Sequence, residues 1–261
     1  MSTPHIHLAI DGPVAELVLD RPDARNAMSR AMWRALPGLV GEAQDDPGVR
    51  VLLVHGGQTG AFCAGADIHE LGQMAGKPDE ALRFHDEMGA ALATLAAFPG
   101  PVIAAIEGPC IGAGLALALA CDLRLAAPTA RFGVTPAKLG LAYPLADTAR
   151  LVAAIGPARA KALLFSARLL EAKDALAWGL AETLLDAEAF LREARQHARA
   201  MARLSAQTQR AMKAQVRALE PCDMALAAQA RAAFAALFDG PDFARGLAAF
   251  TQKRKADFGG G

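Results

Sequence analysis

The stretch PVIAAIEGPCIGAGLALALACDLRLA, residues 101–126, decides how the rest of the chain is read. Its run 101–106 predicts a short buried strand, the segment Gly108–Gly114 a tight glycine-rich loop, and the alanine- and leucine-rich residues beyond it a helix ending near Cys121. The first N–H groups of a helix have no intrahelical partner, and the helix dipole adds partial positive charge there. Such a loop suits the holding of a developing negative charge. It equally suits a close-packed turn in which Gly112 and Gly114 serve only by lacking a side chain.

Toward the N-terminus, Ile6–Ile10 and Val14–Leu19 alternate in hydrophobicity around Asp11-Gly12, a hairpin signal. Residues 21–28 are polar and form a loop. Ser29 is a plausible N-cap for a helix running to about Ala43, which Pro37 is expected to kink or split. Val51–Val54 has the continuous apolar character of a strand buried on both faces. Then comes GGQTGAFCAGADIHEL (56–71), whose glycines let backbone approach a ligand closely, with Asp67 placed to cap a short helix. Pro78–Phe98 carries apolar residues at helical spacing. The unit of buried strand, glycine-rich loop and helix therefore recurs, which argues for a mixed α/β core. Gly112-Ala113-Gly114 is a partial dinucleotide-binding fingerprint. Its third small position is Leu117, and no acidic residue ends a strand at the right distance, so that reading is set aside.

Toward the C-terminus, residues from Glu171 read as a helix stopped by Gly179, then a short strand. Ala187–Ala218 and Asp223–Phe238 are alanine-rich amphipathic helices punctuated by Pro221 and Gly240-Pro241. Arg192, Arg195 and Arg199 recur at helical spacing and read as a solvated face. Glu107, just before the central loop, reads as a structural hydrogen-bond partner of loop amides. The 27 basic and 27 acidic residues balance, so bulk charge makes no case for nucleic acid or anionic membrane. No apolar run approaches the ~20 residues of a membrane span, and the N-terminus lacks a signal-peptide order. The four cysteines form no CxxC pair, and His85, Asp86 and Glu87 meet no second His-x-x-His pattern, so no disulfide framework or metal site is expected. A soluble cytoplasmic protein is the expectation.

AFCAGADIHEL (61–71) together with residues 101–127 resembles the enoyl-CoA hydratase/isomerase, or crotonase, superfamily. The likeness continues through ARFGVTPAKLGLAYPL (130–145), residues 155–185 and FTQKRKADF (250–258), covering nearly the whole chain with its motifs in order. The resemblance implies an α/β crotonase fold: a spiral of ββα repeats over residues 1–195, followed by a C-terminal helical oligomerisation region, 196–261, forming a homotrimer or a hexamer as a dimer of trimers. It implies an acyl-CoA thioester as ligand, with coenzyme A part of the substrate and no separate cofactor. It makes the backbone N–H groups of Ala66 and Ala113 the pair that stabilises the thioester enolate. It places coenzyme A against Ala64, Asp67 and Ile68, with Arg25 and the C-terminal Lys253 and Arg254 available to its phosphates.

The sequence departs from the family where a hydratase carries its glutamates: those positions are Ala116 and Pro136, and the acidic position of some isomerases is Pro144. Water addition by two carboxylates therefore lacks both of them. Tyr143 remains near the expected acyl pocket, with Thr135 and Asp147 close in sequence; Asp147 also suits a cap or an ion pair with Arg150. The segment TPAKLGLAYPL is similar to that of the methylmalonyl-CoA decarboxylase branch, which has a tyrosine at this place. That branch carries a histidine where this chain has Ala66 and a glutamate where it has Ala116. The resemblance leaves three readings: an enolate-stabilising isomerase or lyase, a decarboxylase using Tyr143, or a non-catalytic acyl-CoA binder.

Overall fold

The computed structural model describes residues 5–217, 231–232 and 234–256. Strands β1 (Ile6–Asp11) and β2 (Val14–Leu19) form the expected antiparallel hairpin, closed with Asp11 opposite Val14. Helix α1 (Arg30–Asp45) starts where Ser29 Oγ accepts the Met32 N–H at 3.3 Å. Pro37 lies inside α1 without splitting it. Proline removes a single ladder bond there, while Met32, Trp33, Leu36 and Val40 hold the helix through one buried face.

Strands β3 (Val51–His55) and β4 (Val102–Ile106) continue the sheet in parallel, with α2 (Ile68–Gln73) and α3 (Pro78–Ala97) between them in the chain. After β4 the expected loop folds as a short strand, β5 (Pro109–Ile111), before α4 (Ala113–Leu119). The loop reading fails because β5 finds a partner far along the chain: Pro109 to Ile111 pair in parallel with Arg131 to Gly133, strand β7. Between them β6 (Leu123–Ala126) joins the main sheet. Helix α5 (Leu145–Ser166), strand β8 (Leu169–Glu171), helix α6 (Ala172–Trp178) and strand β9 (Thr183–Leu184) follow, and Gly179 ends α6 with φ 89°. The main sheet runs β1-β2-β3-β4-β6-β9 and the small one β5-β7-β8. The recurring turn of strand, short strand and helix is the ββα repeat that the resemblance implies.

Both faces of the main sheet are covered, which explains its unbroken apolar strands. Leu52, Val54, Ala104 and Ile106 point into the larger core. Val51, Leu53, Ile103 and Ala105 pack on the other face against Phe190, Ala194 and Ala198 of helix α7 (Phe190–Ala202). The long helix expected over 187–218 is in fact two. α7 ends at Ala202, and α8 (Ala206–Arg217) begins after Ser205, whose Oγ accepts the Thr208 N–H at 3.3 Å. A serine able to satisfy a free helix N–H makes that break inexpensive. α7 carries the chain through position 195 without interruption. Helix α9 (Pro241–Thr251) closes the described fold. Ala218, Pro221, Cys222, the start of the helix expected from Asp223, and the end of the 250–258 motif lie outside the described residues.

The arginine face of α7 is not simply solvated. Arg195 donates through Nε and Nη2 to Glu16 at 2.7 and 2.8 Å, and Arg199 pairs with Asp11, so α7 clamps the β1–β2 hairpin. His55 Nδ1 accepts the Gly57 N–H at 3.0 Å, which leaves Nε2 to donate to Glu16 at 2.9 Å. Glu107 uses its backbone carbonyl, which accepts the Phe62 N–H at 2.7 Å, rather than its carboxylate. No helix among the described residues is long and apolar enough to cross a membrane.

Candidate active site

Cys63 and Cys110 face each other across a parallel bridge, tied by Cys63 N–H to Pro109 O at 2.8 Å and Ile111 N–H to Cys63 O at 3.0 Å. Each opens the same pattern, Cys63-Ala64-Gly65-Ala66 and Cys110-Ile111-Gly112-Ala113. In-register pairing therefore delivers Ala66 and Ala113 together to the wall of one cavity of about 160 Å³. Gly65 (φ 122°) and Gly112 (φ 55°) turn the two chains there. A Cβ on Gly114 would lie 2.4 Å from Cys63 O, an approach of α4 to the first loop that only glycine permits. Among the described residues neither the Ala66 N–H nor the Ala113 N–H donates to any acceptor. Unpaired backbone donors are scarce in folded proteins, and two on one cavity mark a place for an acceptor from outside. The Cys-x-Gly-Ala repeat is the sequence signal that foretells this meeting; the glycine content of either loop alone does not.

The rest of the cavity is largely apolar, walled by Leu71, Phe84, Met88, Leu139, Phe234 and Phe238, and no Lys, Arg or His is among the described residues that line it. Tyr143, Thr135 and Asp147 supply its polar side chains. Tyr143 donates its hydroxyl to Gly112 O at 3.2 Å. Burial, reinforced by the neighbouring Asp147, pushes its phenol well above the usual value, so it stays protonated. Asp147 is 2% exposed in the first turn of α5, with its Oδ1 accepting from Arg150 Nη1 at 2.9 Å, the expected ion pair. Burial raises its carboxyl and the arginine only partly offsets this, leaving it at about 6. Pro136 and Pro144 line the cavity, while Ala116 is fully buried in α4 and does not reach it.

Of the expected coenzyme A contacts, Ala64 and Ile68 line this cavity and Arg25, Asp67 and Lys253 do not. The Asp67 carboxylate is committed to the fold. Its Oδ1 caps α2 by accepting from His69 and Glu70 at 2.9 and 3.3 Å, and Oδ2 pairs with Arg21 at 2.7 Å. Burial would raise it, but the Arg21 bond and the two amides prevail and hold it below the usual carboxylate range. Arg25 is exposed in a left-handed turn (φ 49°), and its carbonyl accepts the Ala64 N–H at 3.0 Å, which fixes the two loops side by side. Lys253 is exposed just past Phe250, a residue of the cavity rim. Among the described residues neither Arg25 nor Lys253 has a side-chain partner, and the Ala64 carbonyl accepts no hydrogen bond. The described cysteines are buried thiols; burial pushes Cys63 up to about 12, which removes it as a nucleophile. No group of three or more His, Cys, Asp or Glu among the described residues could hold a metal ion.

Residues 9–261 match the family model described as enoyl-CoA hydratase/isomerase. The enoyl-CoA hydratase domain-containing protein 2, mitochondrial, of Bos taurus is 41% identical over 175 residues, 66% of this chain and 58% of that protein, so the matched stretch spans less than two thirds of that relative. A crystal structure of an enoyl-CoA hydratase/isomerase family protein from Hyphomonas neptunium is 44% identical with a TM-score of 0.81 over 97% of both chains. The structure of methylmalonyl-CoA decarboxylase in complex with 2-nitronate-propionyl-CoA is 25% identical with a TM-score of 0.88 over 100% of both chains. The family model covers nearly the whole sequence, and the neighbours superpose on the same two-sheet spiral: the chain belongs to the enoyl-CoA hydratase/isomerase family.

Proposed function

We propose that the protein is an acyl-CoA isomerase or lyase that forms a thioester enolate, with the Ala66 and Ala113 amides as the oxyanion hole and Asp147 as the group that moves the proton. The observation that carries this reading is the pair of unpaired amides on an apolar wall with a single carboxyl group beside them. Preorganised donors in a water-poor site act where charge develops, and one such amide is worth about 10²–10³ in rate. Asp147, held at about 6, changes charge within the working range of most enzymes. A single carboxyl suffices to take a proton from carbon and return it elsewhere on the same chain. Syn addition of water by two carboxylates is not supported, because the positions that resemble the hydratase glutamates are Ala116 and Pro136. Arg25 and Lys253 are the cations that would meet coenzyme A phosphates, and the Ala64 carbonyl an acceptor for adenine. A homotrimer or dimer of trimers in the cytoplasm goes with this reading, and sedimentation of the purified protein tests the assembly.

The test is hydrogen–deuterium exchange at the α-carbon of a short saturated acyl-CoA, followed by NMR in D2O beside a calorimetric binding measurement. Exchange that vanishes in Asp147→Asn while binding survives supports the reading. Binding without any exchange or other turnover makes the chain an acyl-CoA binder and overturns it.

Decarboxylation is the second reading, favoured by the 0.88 TM-score likeness to methylmalonyl-CoA decarboxylase and by the lack of a cation among the described residues that line the cavity. A malonyl-type carboxylate would sit there without a counter-charge. Breaking its C–C bond would release carbon dioxide and shift the electron pair onto the thioester oxygen, with the α-carbon then protonated by the Asp147 carboxyl. Carbon dioxide release from malonyl- or methylmalonyl-CoA measures it, and none above the rate without the protein ends it.

A further inference from the structure

Each candidate oxyanion amide belongs to a peptide unit whose carbonyl comes from a glycine, Gly65 before Ala66 and Gly112 before Ala113. A trans peptide is planar, with its C=O and N–H pointing in opposite directions, so whatever grips the carbonyl aims the amide. In the first loop the grip is backbone: Met28 N–H donates to Gly65 O at 2.8 Å, and Asp67 N–H returns a bond to Met28 O at 3.0 Å. In the second loop Gly112 O accepts the Ala116 N–H at 3.0 Å, the opening bond of α4, and the Tyr143 hydroxyl at 3.2 Å. Gly112 has φ 55° and ψ −114°, a region open to glycine, and a Cβ there would meet nothing within 4 Å. Glycine is present for that backbone rotation and not for space. The rotation is what sets the plane of the 112–113 peptide.

We propose that Tyr143 is a positioning residue: its hydroxyl holds the Gly112 carbonyl and thereby orients and polarises the Ala113 N–H toward the thioester oxygen. It does for the second loop what the Met28 N–H does for the first. The inference rests on the enolate reading above. A hydrogen bond received by a carbonyl strengthens the donor on the same peptide by about 10–30%. Because the hydroxyl proton is already given to Gly112 O, the proton delivered to carbon comes from Asp147 or water, and Tyr143 acts through the peptide.

Tyr143 is the only tyrosine in the chain, so biosynthetic replacement of tyrosine by 3,5-difluorotyrosine changes this hydroxyl alone. The probe is cinnamoyl-CoA, whose absorbance shifts to longer wavelength when its thioester carbonyl is polarised. The unmodified protein is expected to shift it, Tyr143→Phe to shift it less, and the fluorinated protein, a stronger donor, to shift it more. Affinity for cinnamoyl-CoA in Tyr143→Phe stays within about threefold, since the hydroxyl is given to Gly112 O and the ring that lines the cavity is kept. α-Proton exchange slows about tenfold, a fraction of what one lost amide costs, and the midpoint of its pH profile stays in place. A full red shift in Tyr143→Phe overturns the inference, as does loss of a limb of the pH profile, which would make the phenol the acid. Should Tyr143→Phe fail to fold, the fluorinated protein decides alone, and an unchanged shift overturns the inference. Absence of any red shift in the unmodified protein overturns the oxyanion reading itself, and this inference with it.

Discussion

Glu16 and Asp147 are both buried carboxyl groups, 7% and 2% exposed, and the fold drives them in opposite directions. Burial raises each one. At Glu16 the hydrogen bonds from His55 and Arg195 outweigh it and pull the group down to about 2. At Asp147 the single partner, Arg150, falls short and the group ends at about 6. The number of donors decides the role. Glu16, with both oxygens engaged, ties α7 to the hairpin; Asp147, with one ion pair and an apolar cavity in front of it, gains and loses its proton close to neutrality.

The sharpest way to break this comparison is Asp147→Asn. It is expected to lower α-proton exchange by about 10²–10⁴-fold, the usual worth of a general acid–base group, while circular dichroism shows an unchanged fold. Next in size is Glu16→Gln. A carboxylate depressed from 4.5 to about 2 contributes about 3 kcal/mol at neutral pH, and denaturant titration should show that loss with activity per folded molecule intact. If Glu16→Gln silenced exchange and left stability alone, the division of roles would be wrong.

The pH dependences have opposite signs. Glu16 favours the folded state fully above the unfolded value of 4.5, and this contribution disappears as pH falls toward about 2. Asp147 binds its proton more tightly when folded. Its contribution is complete below 3.8 and disappears as pH rises through about 6. Asp147→Asn should therefore be no less stable than the parent at pH 8, by thermal melting. The exchange rate of the parent should rise with pH about a midpoint near 6. The smallest effect is Arg150→Met: removing the one downward influence moves that midpoint to higher pH, and an unmoved midpoint would show that another group titrates.

What could be seen in the sequence beforehand follows the range of the interactions. The Ser29 and Asp67 caps, the Asp11-Gly12 hairpin and the Gly179 stop depend on residues within a turn of one another, and all of them form as expected. The family motifs led to Ala66 and Ala113 by likeness, but what brings them together is the pairing of Cys63 with Cys110, a contact between distant segments. The same distance hid β5, whose partner is β7, and the Arg195–Glu16 pair, which closes across 179 residues. Pro37 misled because propensity weighs one lost bond, whereas the buried face of α1 is a collective term.

The cavity draws its polar groups and part of its aromatic lining from separate parts of the chain. Ala66, Ala113, Tyr143 and Asp147 come from the spiral, whereas Phe234, Phe238 and Phe250 come from beyond residue 230. On the proposed enolate reading, exchanging the exposed Phe250 reshapes the room offered to an acyl chain at little cost to the fold, whereas Phe234 and Phe238 are also packed in the core. On that reading, chain-length preference can be re-engineered at this position while the two amides and the carboxyl stay in place.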